Sequence, residues 1–220
     1  MDSESQIILV DKPAGMSSFG VVARVRSVLS KKFGHKIKVG HTGTLDPFAT
    51  GLLILMTGKN TKLCQEFLKH DKEYIATIHL GKTSSTGDIE GEIDDASDYQ
   101  PSIDEVSSAL SKFVGKITQT VPNFSAVKID GKRAYDLARK GIMVEMPTRE
   151  VEIYECELIS YSYPEVIIRA HVSSGTYIRT LGEDIGKELK TGAYLTALRR
   201  TKIAGYKIED AKTLEELGVK

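Results

Sequence analysis

GHTGTLDPFATGLLILMTG, residues 40 to 58, decides how this chain folds. The apolar run Leu52 to Met56 is short and lies between Gly51 and Gly58, which predicts a strand buried on both faces rather than a membrane span. The residues before it are small, polar or turn-forming, so they predict a loop that enters the core at a fixed point. That loop carries one carboxylate, Asp46, held by Pro47.

Working outward, IILV at residues 7 to 10 reads as a second short strand. DKPAGMSS then supplies a turn and a serine N-cap, and Phe19, Val22, Val25 and Leu29 recur at helical spacing, predicting an amphipathic helix to about Lys32. Beyond the buried strand the pattern predicts a helix from Asn60 to His70, a strand over Glu73 to Leu80, and an exposed acidic connection. A helix opens at Pro101 and runs through Phe113, and Lys116 to Val121 is strand-like. VEIYECELISYSY and EVIIRAHVSS are two strands joined at Pro164, and Ile178, Leu181, Ile185 and Leu189 stripe one face of a further helix. KIAGYKI reads as a strand before a short helical tail. Strands and helices interleave without a regular βαβ rhythm, so the expected class is α+β with a mixed, mainly antiparallel sheet flanked by helices. No linker or repeat marks a boundary, and one domain over residues 1–220 is expected.

The chain has 220 residues, 40% hydrophobic and 27% charged, which excludes disordered and fibrous classes. Its N-terminus has acids where an export signal carries bases, so a cytoplasmic protein with no membrane association is expected. Cys64 and Cys156 stand apart without a CxxC or Cys/His cluster; both read as packing residues, and neither metal nor organic cofactor is expected. Net charge is zero, but it is unevenly placed. Acids fill residues 83 to 105, while bases gather at Lys31, Lys32, Lys36 and Lys38, at Lys128 to Lys140, and at Arg199 to Lys207. Such groups are compatible with RNA, although from charge alone a solvated face is the simpler reading.

Taken alone, Asp46 is ordinary turn chemistry, because an Asp before Pro bonds its own backbone. The string around it changes that reading. VGHTGTLDPFATGLLILMTGKNTK resembles the signature of the bacterial TruB family of pseudouridine synthases, whose catalytic residue is the Asp found here at position 46. The resemblance continues in order through DKPAGMSS (11–18), KEYIATIHLGKTSSTGDIEGE (72–92), FSAVKIDGKRAYDLARKG (124–141), SSGTYIRTLGEDIG (173–186) and LTALRRTKIAGY (195–206).

The resemblance implies a pseudouridine synthase fold and isomerisation of the T-loop uridine of tRNA, U55, by nucleotide flipping and covalent catalysis through Asp46. It also implies roles for particular residues. Tyr74 corresponds to the stacking tyrosine, and Arg179 to the arginine that pairs with the catalytic carboxylate. Tyr177 and Leu198 match residues lining the uridine pocket, and Lys12 matches a supporting position near the site. His41 matches the histidine that fills the space left by flipped nucleotides. Residues 123–149 resemble a mobile RNA-gripping arm, whose Lys128, Lys132, Arg133 and Arg139 would meet phosphates; Asn123 stands where the family usually has a second proline. Many relatives continue into a further C-terminal RNA-binding domain, and no separate domain of that kind is expected here. The expected partner is tRNA, with no obligate protein partner. Two other readings are an RNA chaperone without turnover, which leaves Asp46, Tyr74 and Arg179 unexplained, and a nucleoside hydrolase, which lacks an evident second carboxylate.

Overall fold

The computed structural model describes residues 4–219. Two compact units emerge among these residues, one from residues up to 75 and from 198 onward, the other from residues 76–197.

In the first unit the centre is β3 (Thr50–Thr57), whose residues Leu52 to Met56 are completely buried. β3 pairs antiparallel with β1 (Ile7–Lys12) and with β2 (Val39–His41), and parallel with the end of β12 (Ala193–Ile203) through Arg199↔Thr50 and Arg200↔Gly51. Its alternate side chains serve two cores. Leu53 and Leu55 pack with Val10 and with Val21, Val22 and Val25 of α1 (Ser18–Phe33), whereas Leu52 and Ile54 pack with Ile203 against Phe67 and Tyr206. That two-sided burial is why the run is apolar at every position rather than at every second one.

Helix α1 forms as expected: Ser17 caps it by accepting from the Gly20 amide, and Gly34 ends it in the left-handed conformation. The helix expected over Asn60 to His70 does not form. Gly58–Leu63 is a 3₁₀ turn and α2 is only Cys64–Phe67. Thr61 Oγ1 bonds back to the Gly58 carbonyl, and the Lys72 ammonium takes the carbonyls of Leu68 and His70, so the helical ladder has no continuation. KIAGYKI is a tight hairpin rather than one strand: Ala204 turns at φ 49°, and β13 (Tyr206–Lys207) folds back on β12. The tail is a 3₁₀ turn, Ile208–Asp210, followed by a Thr213–Glu216 capping turn.

The second unit holds the end of β4 (Lys72–Leu80), flanked by the start of β12 and by β11 (Glu165–Val172). β11 pairs antiparallel with β10 (Thr148–Ser162), and β10 with β7 (Gly115–Thr120). β10 and β11 meet at a cis Tyr163–Pro164 bond. α3 (Ile103–Ser111) starts from a Ser102–Glu105 capping box. α5 (Ile178–Glu188) buries the predicted stripe of Ile178, Leu181 and Ile185. The acidic connection is not uniformly exposed: β5 (Lys82–Ser84) pairs with β6 (Ile93–Asp95), and Asp88 between them is buried. The arm contains a small hairpin, β8 (Lys128–Ile129) with β9 (Lys132–Arg133), turning on Asp130 and Gly131 at positive φ, and then α4 (Ala134–Ala138).

Mixed pairing with antiparallel contacts in the majority makes the class α+β, as the sequence predicts. Among the described residues no helix is long and apolar enough to cross a membrane.

Candidate active site

Asp46 sits on the loop between β2 and β3, and three side chains of the first unit grip that loop on both sides of it. Ser18 Oγ donates to the Leu45 carbonyl at 2.9 Å and accepts from the Leu45 amide at 2.8 Å. Lys12, fully buried, donates from Nζ to the carbonyls of Pro47 (3.2 Å), Pro13 (2.8 Å) and Met16 (2.6 Å). Arg200, 1% exposed, donates from Nε to the Leu52 carbonyl at 2.8 Å and from Nη2 to the Gly43 carbonyl at 3.2 Å, with Nη1 3.5 Å from the Thr44 carbonyl. The guanidinium fork therefore ties the entrance of the loop to its exit. Its backbone does the same from below: Gly51, at φ 103°, lies so close that a Cβ there would stand 2.3 Å from the Arg200 carbonyl. A loop fixed at residues 43, 44, 45, 47 and 52 presents its one carboxylate in a set geometry, as a nucleophile requires.

His41 closes β2 beside this loop, and its Nδ1 accepts from the Gly43 amide at 3.3 Å. Burial, with the Arg200 charge as a second cause, holds the imidazole below its ordinary range. The neutral ring with Nδ1 accepting carries its proton on Nε2. Lys72 is also near: a Cβ at Gly43 would stand 3.6 Å from Arg200 Nη1 and 3.8 Å from Lys72 Cε. Burial first and Arg200 second lower the Lys72 ammonium to about 8.

Tyr74 and Leu198 face the same way as this cluster. Tyr74 is two residues from Lys72 on β4, and Leu198 two residues from Arg200 on β12, so each shares the face that meets Gly43. Both are nearly buried, at 7% exposure. Lys12, His41, Asp46, Tyr74 and Leu198 all belong to the first unit.

The second unit holds Tyr177 and Arg179. Tyr177 precedes α5, and its backbone is locked by Gln119, which accepts from its amide at 3.0 Å and donates to its carbonyl at 3.2 Å. Arg149 lies over the Tyr177 ring at 5.3 Å. Arg179, 5% exposed, donates to the Thr86 carbonyl at 2.8 Å and the Phe124 carbonyl at 2.7 Å, while its Nε stands 3.5 Å from Asp88 Oδ2. Asp88 is in turn held by the Thr86 hydroxyl at 2.7 Å and the Glu90 amide at 3.0 Å. Arg179 is therefore built into its unit rather than lying on a helix surface, and it fastens the root of the arm at Phe124. A polar cleft of about 420 Å³ opens there, lined by Thr86, Thr120, Asn123, Phe124, Thr180 and Glu183 among others.

In the arm, Arg133 and Arg139 each lie 5.7 Å from the Tyr135 ring, and Arg133 donates to the Tyr135 hydroxyl at 2.8 Å. Lys128 and Lys132 flank the hairpin turn, and all four cations are partly or fully open to solvent. Tyr135 orders two of them.

The sequence reading missed Ser18, Lys72, Asp88, Gln119 and Arg200 as supporting residues. Asp88 was concealed in an acidic run, although the Ser-Thr-Gly-Asp pattern is that of a side-chain-bonded turn. For Arg200 no local signal existed. No group of His, Cys, Asp and Glu among the described residues is disposed to hold a metal ion.

Comparison with known proteins decides the family. Residues 29–178 match the N-terminal domain of the TruB family pseudouridylate synthases, and residues 179–219 match the tRNA pseudouridylate synthase B C-terminal domain. The chain belongs to the TruB family. Within it, this TruB chain is 49% identical over 214 residues to the tRNA pseudouridine synthase B of Phocaeicola vulgatus, covering 96% of this chain and 91% of that protein. It is 45% identical to the protein of that name from Neisseria meningitidis serogroup B, over 96% of this chain and 67% of the relative. Among solved structures, the chain resembles one in a Cbf5-Nop10-Gar1 complex with a TM-score of 0.74 and 31% identity, covering 95% of this chain and 52% of that one. As a TruB member the protein is an isomerase that converts uridine to pseudouridine, with the pseudouridine synthase fold.

Proposed function

We propose that the protein is a tRNA pseudouridine synthase that isomerises the T-loop uridine, U55, with Asp46 as the nucleophile. The observation that carries this is the clamped loop: Lys12, Ser18 and Arg200 fix the backbone on either side of Asp46. The relatives named tRNA pseudouridine synthase B support tRNA as substrate.

Over the reaction Asp46 bonds to the nucleotide and is later released unchanged, while the N1–C1′ bond breaks, the base turns and C5 bonds to C1′; C5 then loses its proton and N1 gains one. The step is redox-neutral and needs no external electrons. The uridine must first leave its stack, at a cost of a few kcal/mol, and stacking on Tyr74 would return about 1–3 kcal/mol. Arg179 is assigned to pair with Asp46 and keep it ionised, as the family resemblance implies. Tyr177 and Leu198 line the uridine pocket in this reading, neutral His41 stands in for the displaced stack, and Lys128, Lys132, Arg133 and Arg139 grip phosphates.

The test is tritium release from base-labelled tRNA by wild type and Asp46→Asn, with a binding isotherm and circular dichroism. Asp46→Asn should fold, bind tRNA and release no tritium. A folded variant turning over within a few-fold of wild type would make Asp46 structural and remove this reading.

A further inference from the structure

Between Lys12 and Leu45 the chain contains no Asp or Glu, although acids and bases are equal in number overall. Six cations fall in that stretch: Arg24, Arg26, Lys31, Lys32, Lys36 and Lys38. All are exposed except Arg26, which is half-buried. Among the described residues none of the six belongs to an ion pair. Elsewhere in the same unit cations do find carboxylates: Arg199 pairs with Asp11 at 2.8 Å and Lys202 with Glu73 at 2.7 Å. In the other unit Lys112 pairs with Glu188, and Lys82 with Asp95.

Helix stability explains part of this set. Lys31 and Lys32 occupy the last turn of α1, where cations complement the helix dipole. Arg24 and Arg26 lie in the middle of the helix, and Lys36 and Lys38 lie beyond it, so the dipole does not account for them. Arg26 instead lies over Phe19 at 5.9 Å, and Phe19 is 64% exposed, an aromatic face left open on the first turn. That turn is joined to the loop of Asp46 through Ser18 and Leu45. A positive surface whose lysines and arginines stand outside ion pairs among the described residues, with an open aromatic ring and anchored beside a carboxylate that must meet a polyanion, has the composition of a nucleic-acid contact.

We propose that α1 and the turn after it form a second phosphate-binding surface for the RNA substrate, apart from the arm, with Phe19 and Arg26 receiving a sugar or unpaired base. This deepens the assignment of tRNA as substrate and rests on it. The surface would steer RNA toward the loop of Asp46 and contribute affinity that falls with salt.

The experiment is filter binding of tRNA across a salt series by the full-length protein carrying Arg24→Gln, Arg26→Gln, Lys36→Gln and Lys38→Gln together. The comparison is a variant with two paired cations removed, Lys82→Gln and Lys112→Gln. The surface variant should bind at least about ten-fold more weakly at 0.1 M salt, with a salt slope shallower by roughly one or more, and the paired-cation variant should match wild type. Phe19→Ser in the wild-type background should weaken binding further at high salt, where charge contributes least. An unchanged slope, or equal losses in both charge variants, would overturn the proposal. So would wild-type binding to vesicles of anionic lipid that the four substitutions abolish while tRNA binding stays unchanged. Tritium release by wild type is scored separately. A shallower slope in a protein that makes no pseudouridine leaves the surface standing and removes the catalytic reading, whereas an active protein with an unchanged slope does the reverse.

Discussion

Ser18 Oγ is bonded to both backbone groups of Leu45, donating to its carbonyl and accepting from its amide. One hydroxyl thereby does for Leu45 what a neighbouring strand does for a sheet residue. Leu45 lies in a loop and is buried, so neither group has water as an alternative. The residue next in sequence is Asp46.

Ser18→Ala should therefore cost about 1–3 kcal/mol, because two buried backbone groups lose their partner. Thermal unfolding measures the loss. The turnover rate should fall more than tRNA affinity does, since the change loosens the loop and leaves the proposed phosphate contacts in place. A variant as stable and as active as wild type would show that this hydrogen-bond pair holds nothing.

Arg200→Lys keeps the charge but not the fork, and a single ammonium cannot span the carbonyls of Gly43 and Leu52 as the guanidinium does. Single-turnover pseudouridine formation should slow by about ten-fold or more, in line with small misplacements of a reacting group. The tRNA dissociation constant should stay within a few-fold. Amide hydrogen exchange should rise over residues 42 to 48, a readout that needs no substrate. Equal losses in binding and rate would point to general damage instead.

Lys72 carries a stability signature with a definite sign. Its ammonium is lowered to about 8 from 10.5, by burial first and Arg200 second. Between those values the unfolded chain holds a proton that the folded chain has released, so stability rises with pH across the window. Wild type should gain up to about 3 kcal/mol relative to Lys72→Met between pH 8 and 10.5. Chemical denaturation at four pH values checks this, and a flat difference would contradict it.

Tyr135→Leu should weaken tRNA binding a few-fold without removing any charge. The ring holds Arg133 and Arg139 at equal distance, and without it both side chains must be ordered on binding. The salt slope should stay close to that of wild type, because the cations remain. A steepened or flattened slope would mean that Tyr135 touches the RNA by another route.

The buried strand and its place in the core are legible in the amino-acid order alone, because a five-residue apolar run between glycines is stable only where both faces are covered. The same order determined α1, whose period, serine cap and closing glycine agree with one another. The ordered blocks identified the family and singled out Asp46. Local signals of that kind lie within one element, where spacing alone carries the information.

What holds the loop of Asp46 is set by the tertiary structure. Arg200 is 157 residues from Gly43 and 148 from Leu52, yet its guanidinium joins them; Lys12 reaches Pro47 across 35 residues, and Ser18 reaches Leu45 across 27. Each bond ends on a backbone carbonyl or amide, which every residue possesses, so the acceptor side leaves no trace in the sequence. The helix expected after Asn60 stops early for a more local reason, because the Lys72 ammonium takes the carbonyls of Leu68 and His70. Side-chain identity is written in the sequence, but the backbone partner that a buried cation selects is set by which strands lie next to it.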